Sequence, residues 1–352
     1  MFFNLFKQNL FLGIDIGTTS IKLVELQKTK QKIEMTNYGI LEKYGHLERI
    51  NDAIQTNAFK LLEESTALLL KELIEKSKTK NRQAYMALPS FSGFISLMEF
   101  PEMADKEIAK AVHFQAGQYV PMPLQETTLD WQLIERANGK VTILLMAVPT
   151  DVIKRYVHSA ELAKINLRGL ELETMAAARL LGKKEKSPVA LVDIGGRSTS
   201  ISIMDKGVLR MSYNVDTAGG DFTQVISSGL GITPLRAEEL KRAYGLNIQA
   251  RGDVKITDLL MPLLDVIKRE TEKAINNYFI RTKRKAEKVI LTGGGANLQG
   301  LEDYYSQRMA LPVIKGDPFS WGLISYNPKL APVIKDVGPS LTSACAVVFK
   351  DI

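Results

Sequence analysis

The 352-residue chain is poor in the residues that most often mark a site. Its single cysteine, Cys345, excludes an internal disulfide and any cysteine cluster for zinc, which fits a reducing compartment. The histidines, His46, His113 and His158, lie far apart without ligand spacing, so no metal role is expected for them. No apolar run approaches the ~20 residues a helix needs to cross a bilayer. "MFFNLFKQNLFLG" begins like a targeting segment, but Lys7, Gln8 and Asn9 interrupt it and no small-residue cleavage motif follows. A cytoplasmic protein is therefore expected. The Walker pattern Gly-x-x-x-x-Gly-Lys-Ser/Thr is missing, which excludes the commonest phosphate cradle. With 45% hydrophobic and 24% charged residues, the remaining composition is that of a globular chain long enough for two cores. The net charge of +7 is modest, and "KSKTKNR" and "RTKRK" read as solvated helix ends rather than a nucleic-acid or phospholipid surface.

What the chain does contain is one pattern written twice. "LFLGIDIGTTSIKLVEL", residues 10 to 26, and "ALVDIGGRSTSISIM", residues 190 to 204, share an order of apolar strand, Asp-Ile-Gly, hydroxyl-bearing turn and second strand. Each reads as a β-hairpin, because Ile, Leu and Val flank a turn of glycine and small polar residues. In the first, Gly17 is expected to open backbone angles closed to other residues, so that the amides of Gly17, Thr18, Thr19 and Ser20 face an anion such as phosphate. Asp15 would repel a bare phosphate, so a Mg²⁺ with its waters is expected between its carboxylate and a nucleotide. Lys22 is spaced to return to the same cradle as a point charge on the β- and γ-phosphates. A glycine that merely makes a tight turn would explain either copy alone. The repetition, with Asp193, Gly195, Gly196 and Ser198 in the second copy, indicates instead a duplicated fold. Two such hairpins facing each other would clamp a triphosphate, with Asp15 and Asp193 on the metal.

A third segment, "EKVILTGGGANLQGLEDYYSQRM", sets a buried strand before Gly293, Gly294 and Gly295. A helix is expected directly after them, its N-terminal amides turned to the same nucleotide. "GIDIG" lacks the strand-to-helix continuation of a dinucleotide-binding glycine motif.

Two Asp-x-Gly hairpins and a late Thr-Gly-Gly-Gly turn resemble the actin-like ATPase superfamily from residue 10 to about residue 348. The resemblance implies an α/β protein with a duplicated actin-like (ribonuclease H-like) two-lobed fold. It also implies ATP or ADP with Mg²⁺ between the lobes, and Gly293, Gly294 and Asn297 near the adenosine. "LRGLELETMAAARLLG" is similar to the family's first connecting helix, which places Glu173 where the attacking water is oriented, although Thr174 stands where proline is usual. Ala176, Ala177 and Ala178 allow a second helix to cross closely. "GPSLTSACAVV" resembles that second connecting helix, and the pair would form the hinge between lobes. "RAEELKRAYG" is similar to the adenosine-binding helix, in which Glu238 and Lys241 would hold the ribose and frame the base; Glu-x-x-Lys is equally an ordinary exposed ion pair. Arg197 departs from the pattern, since relatives of actin place a small residue there. Tight nucleotide binding with a weak or slow ATPase at most is the resulting expectation.

An amphipathic helix is expected around residues 54 to 77, with Phe59, Leu62, Thr66, Leu69 and Leu73 on one face. Strands and a helix then alternate, making a small inserted α+β module in the first lobe. The expected divisions are 8–81, 159–188 and 337–352 for the first lobe, 82–158 for the insert and 189–336 for the second lobe, with an adenosine-side subdomain at about 222–285. This placement resembles the cell-division protein FtsA and, more closely, the PilM family of type IV pilus assembly proteins, whose pattern is matched by "FPEMADKEIAKAVHFQAGQYVPMP". FtsA ends in a lipid-binding helix, whereas this sequence stops at Ile352, soon after the second connecting helix.

The resemblance implies an ATP-binding adaptor of the pilus inner-membrane platform, recruited to the inner face of the inner membrane by the N-terminal cytoplasmic tail of PilN. That tail would lie extended in a groove between insert and first lobe. Other platform proteins are expected partners, nucleic acid is not, the membrane is met only through partners, and self-association stays open. Ile95, Leu97 and Met98 either line the groove or form the insert's core, and core is favoured. Two further readings are an FtsA-like filament-forming division protein and an actin-fold phosphotransferase. Carbohydrate kinases share the "GIDIGTTSIK" start, but no catalytic aspartate of a sugar pocket is found.

Overall fold

The computed structural model describes residues 10–42, 63–246 and 256–350. In chain order the strands are β1 (Leu10–Ile16), β2 (Ser20–Lys28), β3 (Ile33–Glu42), β4 (Gln83–Leu88), β5 (Phe94–Pro101), β6 (Thr127–Ala137), β7 (Lys140–Pro149), β8 (Asn166–Leu172), β9 (Val189–Ile194), β10 (Thr199–Asp205), β11 (Val208–Val215), β12 (Val289–Thr292), β13 (Val313–Lys315) and β14 (Ser325–Tyr326). They build three sheets, ordered β14-β3-β2-β1-β4-β8, β11-β10-β9-β12-β13 and β5-β7-β6. The two larger sheets repeat one plan. Each has an antiparallel hairpin, β1–β2 or β9–β10, a third antiparallel strand beyond it, and a parallel strand beside the first, β4 or β12.

Alternation along the strands divides their side chains between two cores. In the first sheet Leu12, Ile14, Ile21 and Leu23 face the helix Glu63–Lys76, which buries Thr66, Ala67, Leu70, Leu73 and Ile74, and the helix Thr150–Leu162 through Ala160. Leu69 is half-buried there; Phe59 and Leu62 lie outside the described residues. Val24 and Leu26 face the opposite way, into a core that both lobes share. From the second sheet Leu191, Met204 and Ile290 enter that same core.

Through the shared core run the helices Glu173–Gly182 and Thr342–Ala346, which touch one another. Ala176, Ala177 and Ala178 are fully buried against Ala344, Cys345 and Ala346, as the run of small residues requires. The closest approach is to β1, where a Cβ added to Gly13 would lie 1.8 Å from the Ala344 carbonyl oxygen. The second connecting segment is not one long helix; 3₁₀ turns Pro339–Leu341 and Val347–Lys350 flank Thr342–Ala346.

Three expected boundaries move. The insert is narrower than 82–158, because β4 pairs in parallel with β1, Leu12 opposite Ala84, and the helix Thr150–Leu162 packs under the first sheet. Its own sheet is β5-β7-β6. The first lobe takes up chain before 337, since β14 pairs with β3 and Ile324 and Ile334 join the shared core. The described parts of the 222–285 stretch have no core apart from the second sheet, because Phe222, Ala237 and Ile267 cluster with Val192 and Ile203. Such long-range pairings leave no mark on local periodicity. Within the insert, Met98 and Phe100 are buried with Ile143 under Ile108 and Val112 of the helix Asp105–Gln115. Ile95 and Leu97 point to the other face and brace the insert on the shared core.

Candidate functional site

Where the two hairpin turns meet, a cleft of about 720 Å³ opens between the lobes. Its lining includes Asp15, Gly17, Thr18, Thr19, Ser20 and Lys22 from the first hairpin and Asp193, Gly195, Gly196 and Ser198 from the second. Glu173 enters from the first connecting helix, Glu238 and Lys241 from the helix Pro234–Tyr244, and Gly293, Gly294 and Asn297 from the glycine turn. The structure thus gathers into one cavity every site residue expected from the sequence. The turn tips are in contact. A Cβ on Gly196 would fall 2.4 Å from the Thr19 Cγ2 and 3.0 Å from the Thr18 hydroxyl.

Both turns close in the same way: the Gly17 N–H donates to the Ser20 carbonyl at 2.9 Å and the Gly195 N–H to the Ser198 carbonyl at 3.1 Å. This corrects the expectation for Gly17, whose amide is consumed by the turn rather than offered to an anion. Nor does Gly17 adopt a positive φ; it is close to the Ser20 oxygen, 3.1 Å from where a Cβ would sit. The second turn is held further by the start of the helix Gly219–Leu230, where the Gly219 and Gly220 N–H groups donate to the carbonyls of Gly195 and Gly196 at 3.0 and 2.9 Å.

Cross-strand register puts Lys22 opposite Asp15, and their side chains form an ion pair at 2.8 Å. Burial works against the Lys22 ammonium, but Asp15, helped by Glu173 and Asp193, outweighs it and holds the pKa above the usual lysine value. The carboxyls of Glu173 and Asp193 move the opposite way. Burial, with the charges of Asp193 and Asp15, pushes Glu173 up to about 8, opposed by the Ser90 N–H that donates to its Oε1 at 2.8 Å. Burial and Asp15 push Asp193 up to about 6, against the attraction of Lys22. Around Lys22 three carboxyls face one ammonium, a local imbalance that a divalent cation would offset. Among the described residues no three His, Cys, Asp or Glu side chains are grouped to hold a metal by themselves. The donor set therefore fits a hard cation that keeps waters and shares phosphate oxygens, as Mg²⁺ does.

Glu238 and Lys241 form an ion pair at 2.5 Å. Glu238 also takes Arg242 Nε at 2.7 Å and the Thr223 hydroxyl, and despite burial these partners, Lys241 first, draw its carboxyl down to about 2. Lys241 donates to the Gly219 carbonyl and the Thr223 hydroxyl, both at 2.8 Å. At the glycine turn the expected helix does not start directly. Gly293, with φ of 82°, leads into a 3₁₀ turn Gly294–Asn297, and the helix Leu301–Ser306 begins only after Gly300, with φ of 80°. Two glycines in left-handed backbone interpose a loop before any helix can start. Asn297 donates through Nδ2 to the Asp336 carbonyl.

Four cleft residues escaped the sequence. Ser90 and Phe91, on the turn Ser90–Ser92, hold Glu173 and underlie Arg197, whose guanidinium is 4.6 Å from the Phe91 ring centroid. Arg242 pairs with Glu42 of β3 at 2.6 Å, tying the lobes together across the mouth. A basic residue beside Lys241 was the only available hint; the partners are distant in sequence.

The sequence profile of the family "Type IV pilus assembly protein PilM" matches residues 13–350. Cell division protein FtsA of Enterococcus hirae is 22% identical over 374 aligned positions, covering 94% of this chain and 83% of that protein. FtsA of Bacillus subtilis (strain 168) is 23% identical over 67% of this chain, a match that spans only 58% of that protein. Among solved structures, the "PilM-PilN type IV pilus biogenesis complex" superposes with a TM-score of 0.81 at 22% identity, covering 96% of this chain and 97% of that one. The ethanolamine utilization protein EutJ of Carboxydothermus hydrogenoformans gives 0.59 at 17% identity, covering 98% and 92%. No helix among the described residues is long and apolar enough to cross a membrane. The fold is the two-lobed actin-like one, and the chain belongs to the PilM family of type IV pilus assembly proteins.

Proposed function

We propose that the cleft binds a magnesium nucleotide, ATP or ADP, and that the chain is a nucleotide-dependent adaptor holding the N-terminal cytoplasmic tail of a PilN-type membrane protein at the inner face of the inner membrane. The observation that carries the nucleotide reading is the meeting of the two hairpin turns around Asp15, Asp193 and Glu173, whose charges crowd the Lys22 ammonium. Bound Mg²⁺ would offset those charges and screen the phosphates. Asp15 and Asp193 would hold its hydrated sphere from the two lobes. Lys22, fixed by Asp15, presents its charge to the phosphates, and Thr18, Thr19, Ser20, Gly195, Gly196 and Ser198 shape the walls around them. Gly293, Gly294, Asn297, Glu238 and Lys241 would border the adenosine.

Turnover is expected to be slow, and any activation of water would depend on Glu173, which the Ser90 N–H fixes in the cleft. The adaptor reading draws on the insert, which touches both lobes: Ile95 of β5 packs with Leu88 and Leu172 of the first, while β5 meets β11 of the second and Arg210 pairs with Glu135 of β6 at 3.2 Å. A change in lobe angle would therefore shift the surface offered to a partner. The FtsA likeness supports a second reading, an ATP-dependent filament.

One experiment separates these readings: titration of the full chain with a synthetic PilN-type N-terminal peptide, with and without ATP and Mg²⁺, beside phosphate release and sedimentation. The adaptor reading predicts peptide binding that responds to nucleotide, with negligible release. Glu173-dependent steady release would favour an enzyme, a fast ATPase or a phosphotransferase, and ATP-dependent, concentration-dependent pelleting a filament.

A further inference from the structure

We propose that Arg197 selects a nucleoside triphosphate over a diphosphate in this cleft and that Phe91 is the residue that positions it; the inference rests on the nucleotide reading above. Arg197 sits at the tip of the second hairpin, where the first copy has Thr19. Its guanidinium lies over the Phe91 ring, 4.6 Å from the centroid, on the face that attracts cations. Both side chains line the cleft beside Glu173. Lys22 is tied to Asp15, and Lys241 and Arg242 to Glu238. Among the described residues Arg197 makes no such ion pair, so its resting partner is an uncharged ring and its full charge is available to an anion.

The position of the cation matches the end of a nucleotide that varies. Glu238 and Lys241 are anchored to Thr223 and Gly219 on the nucleoside side. Arg197 reaches instead across to the first lobe, to the turn Ser90–Ser92 whose Ser90 N–H also fixes Glu173. A third phosphate directed toward Glu173 meets the guanidinium, whose planar set of donors suits a terminal phosphate; a diphosphate stops short of it. Phe91 acts through Arg197. By confining the guanidinium beforehand it reduces the side-chain entropy lost on binding. Because Phe91 lies three residues before the start of β5, the outermost phosphate and the insert meet at the same turn.

The test measures affinities of the full chain for Mg·ATP and Mg·ADP by competition against a fluorescent nucleotide. Arg197→Ala should weaken ATP on the order of tenfold and ADP less than about twofold. Phe91→Leu should lower the ATP-to-ADP preference by about threefold, while Phe91→Tyr, which keeps the ring face, restores it. A purely structural role would change both nucleotides together and would not distinguish leucine from tyrosine. An unchanged preference in Arg197→Ala, or equal losses for ATP and ADP, would overturn the proposal while leaving the nucleotide reading intact. If the unaltered chain bound neither nucleotide, both would fall. Retained ADP affinity reports folding, and Arg197→Gln decides if the alanine variant does not fold.

Discussion

In the first hairpin turn Asp15 faces Lys22 across the strand pair and the two charges meet at 2.8 Å. In the second, the residue opposite Asp193 is Ser200, whose hydroxyl is 3.1 Å from that of Thr174, and the cation stands at the tip as Arg197. The backbones agree down to the closing hydrogen bond, from Gly17 to Ser20 and from Gly195 to Ser198. Duplication has thus kept the turn and moved the charge. One half of the cleft arrives neutralised; the other presents a carboxyl pushed up to about 6, next to a Glu173 pushed up to about 8. Asp193 thus has no cation facing it across the strand pair, and there a divalent cation has most to contribute.

The contrast is most sharply tested by removing each aspartate charge in turn. Asp15→Asn leaves the Lys22 ammonium buried without its carboxylate and should lower unfolding free energy by about 3 kcal/mol in chemical denaturation. Asp193→Asn removes a carboxyl already held against its ionisation and should raise stability by about 1 kcal/mol. Losses of similar size in both would erase the distinction. Next in size, Gly196→Ala should cost about 2 kcal/mol, because its Cβ is driven into Thr19 at the contact between tips.

The pH dependence follows from the raised carboxyls. Glu173 and Asp193 keep protons in the folded chain at pH values where the unfolded chain, with ordinary values of 4.5 and 3.8, has released them. The folded state binds more protons, so stability falls as pH rises from about 5 toward 8. Melting temperature should drop by about 2–4 °C across that window, and Glu173→Gln should flatten the slope. A melting temperature that rose with pH there would contradict the assignment. The smallest effect belongs to Gly17→Ala, with no positive φ to lose and only the Ser20 oxygen close by; a cost under about 1 kcal/mol is expected in the same denaturation series.

Much of this cleft could be read in the sequence because its parts are local. A strand, an Asp-Ile-Gly and a second strand specify a hairpin within fifteen residues or so, and repetition told that the hairpin mattered. Ile95, Leu97 and Met98, read together as insert core, in fact divide between the two faces of β5, with Met98 alone of the three in that core. What could not be read depends on distant partners. That β4 extends the first sheet beside β1 follows from a parallel register that no local pattern records, and the same holds for β14 beside β3. The Phe91–Arg197 stack and the Glu42–Arg242 clasp join segments from different lobes. At Gly17 the glycine signal was right about the turn and wrong about the backbone, which closes on the Ser20 carbonyl without a left-handed φ.

Titration calorimetry of the full chain with ATP, in Mg²⁺ and again in excess chelator, decides whether the cleft holds a magnesium nucleotide. One nucleotide per chain is expected, with at least about a tenfold weaker affinity when Mg²⁺ is withdrawn or Asp193 is replaced by Asn. Absence of any adenine-nucleotide binding, or binding indifferent to both the metal and Asp193, would contradict it.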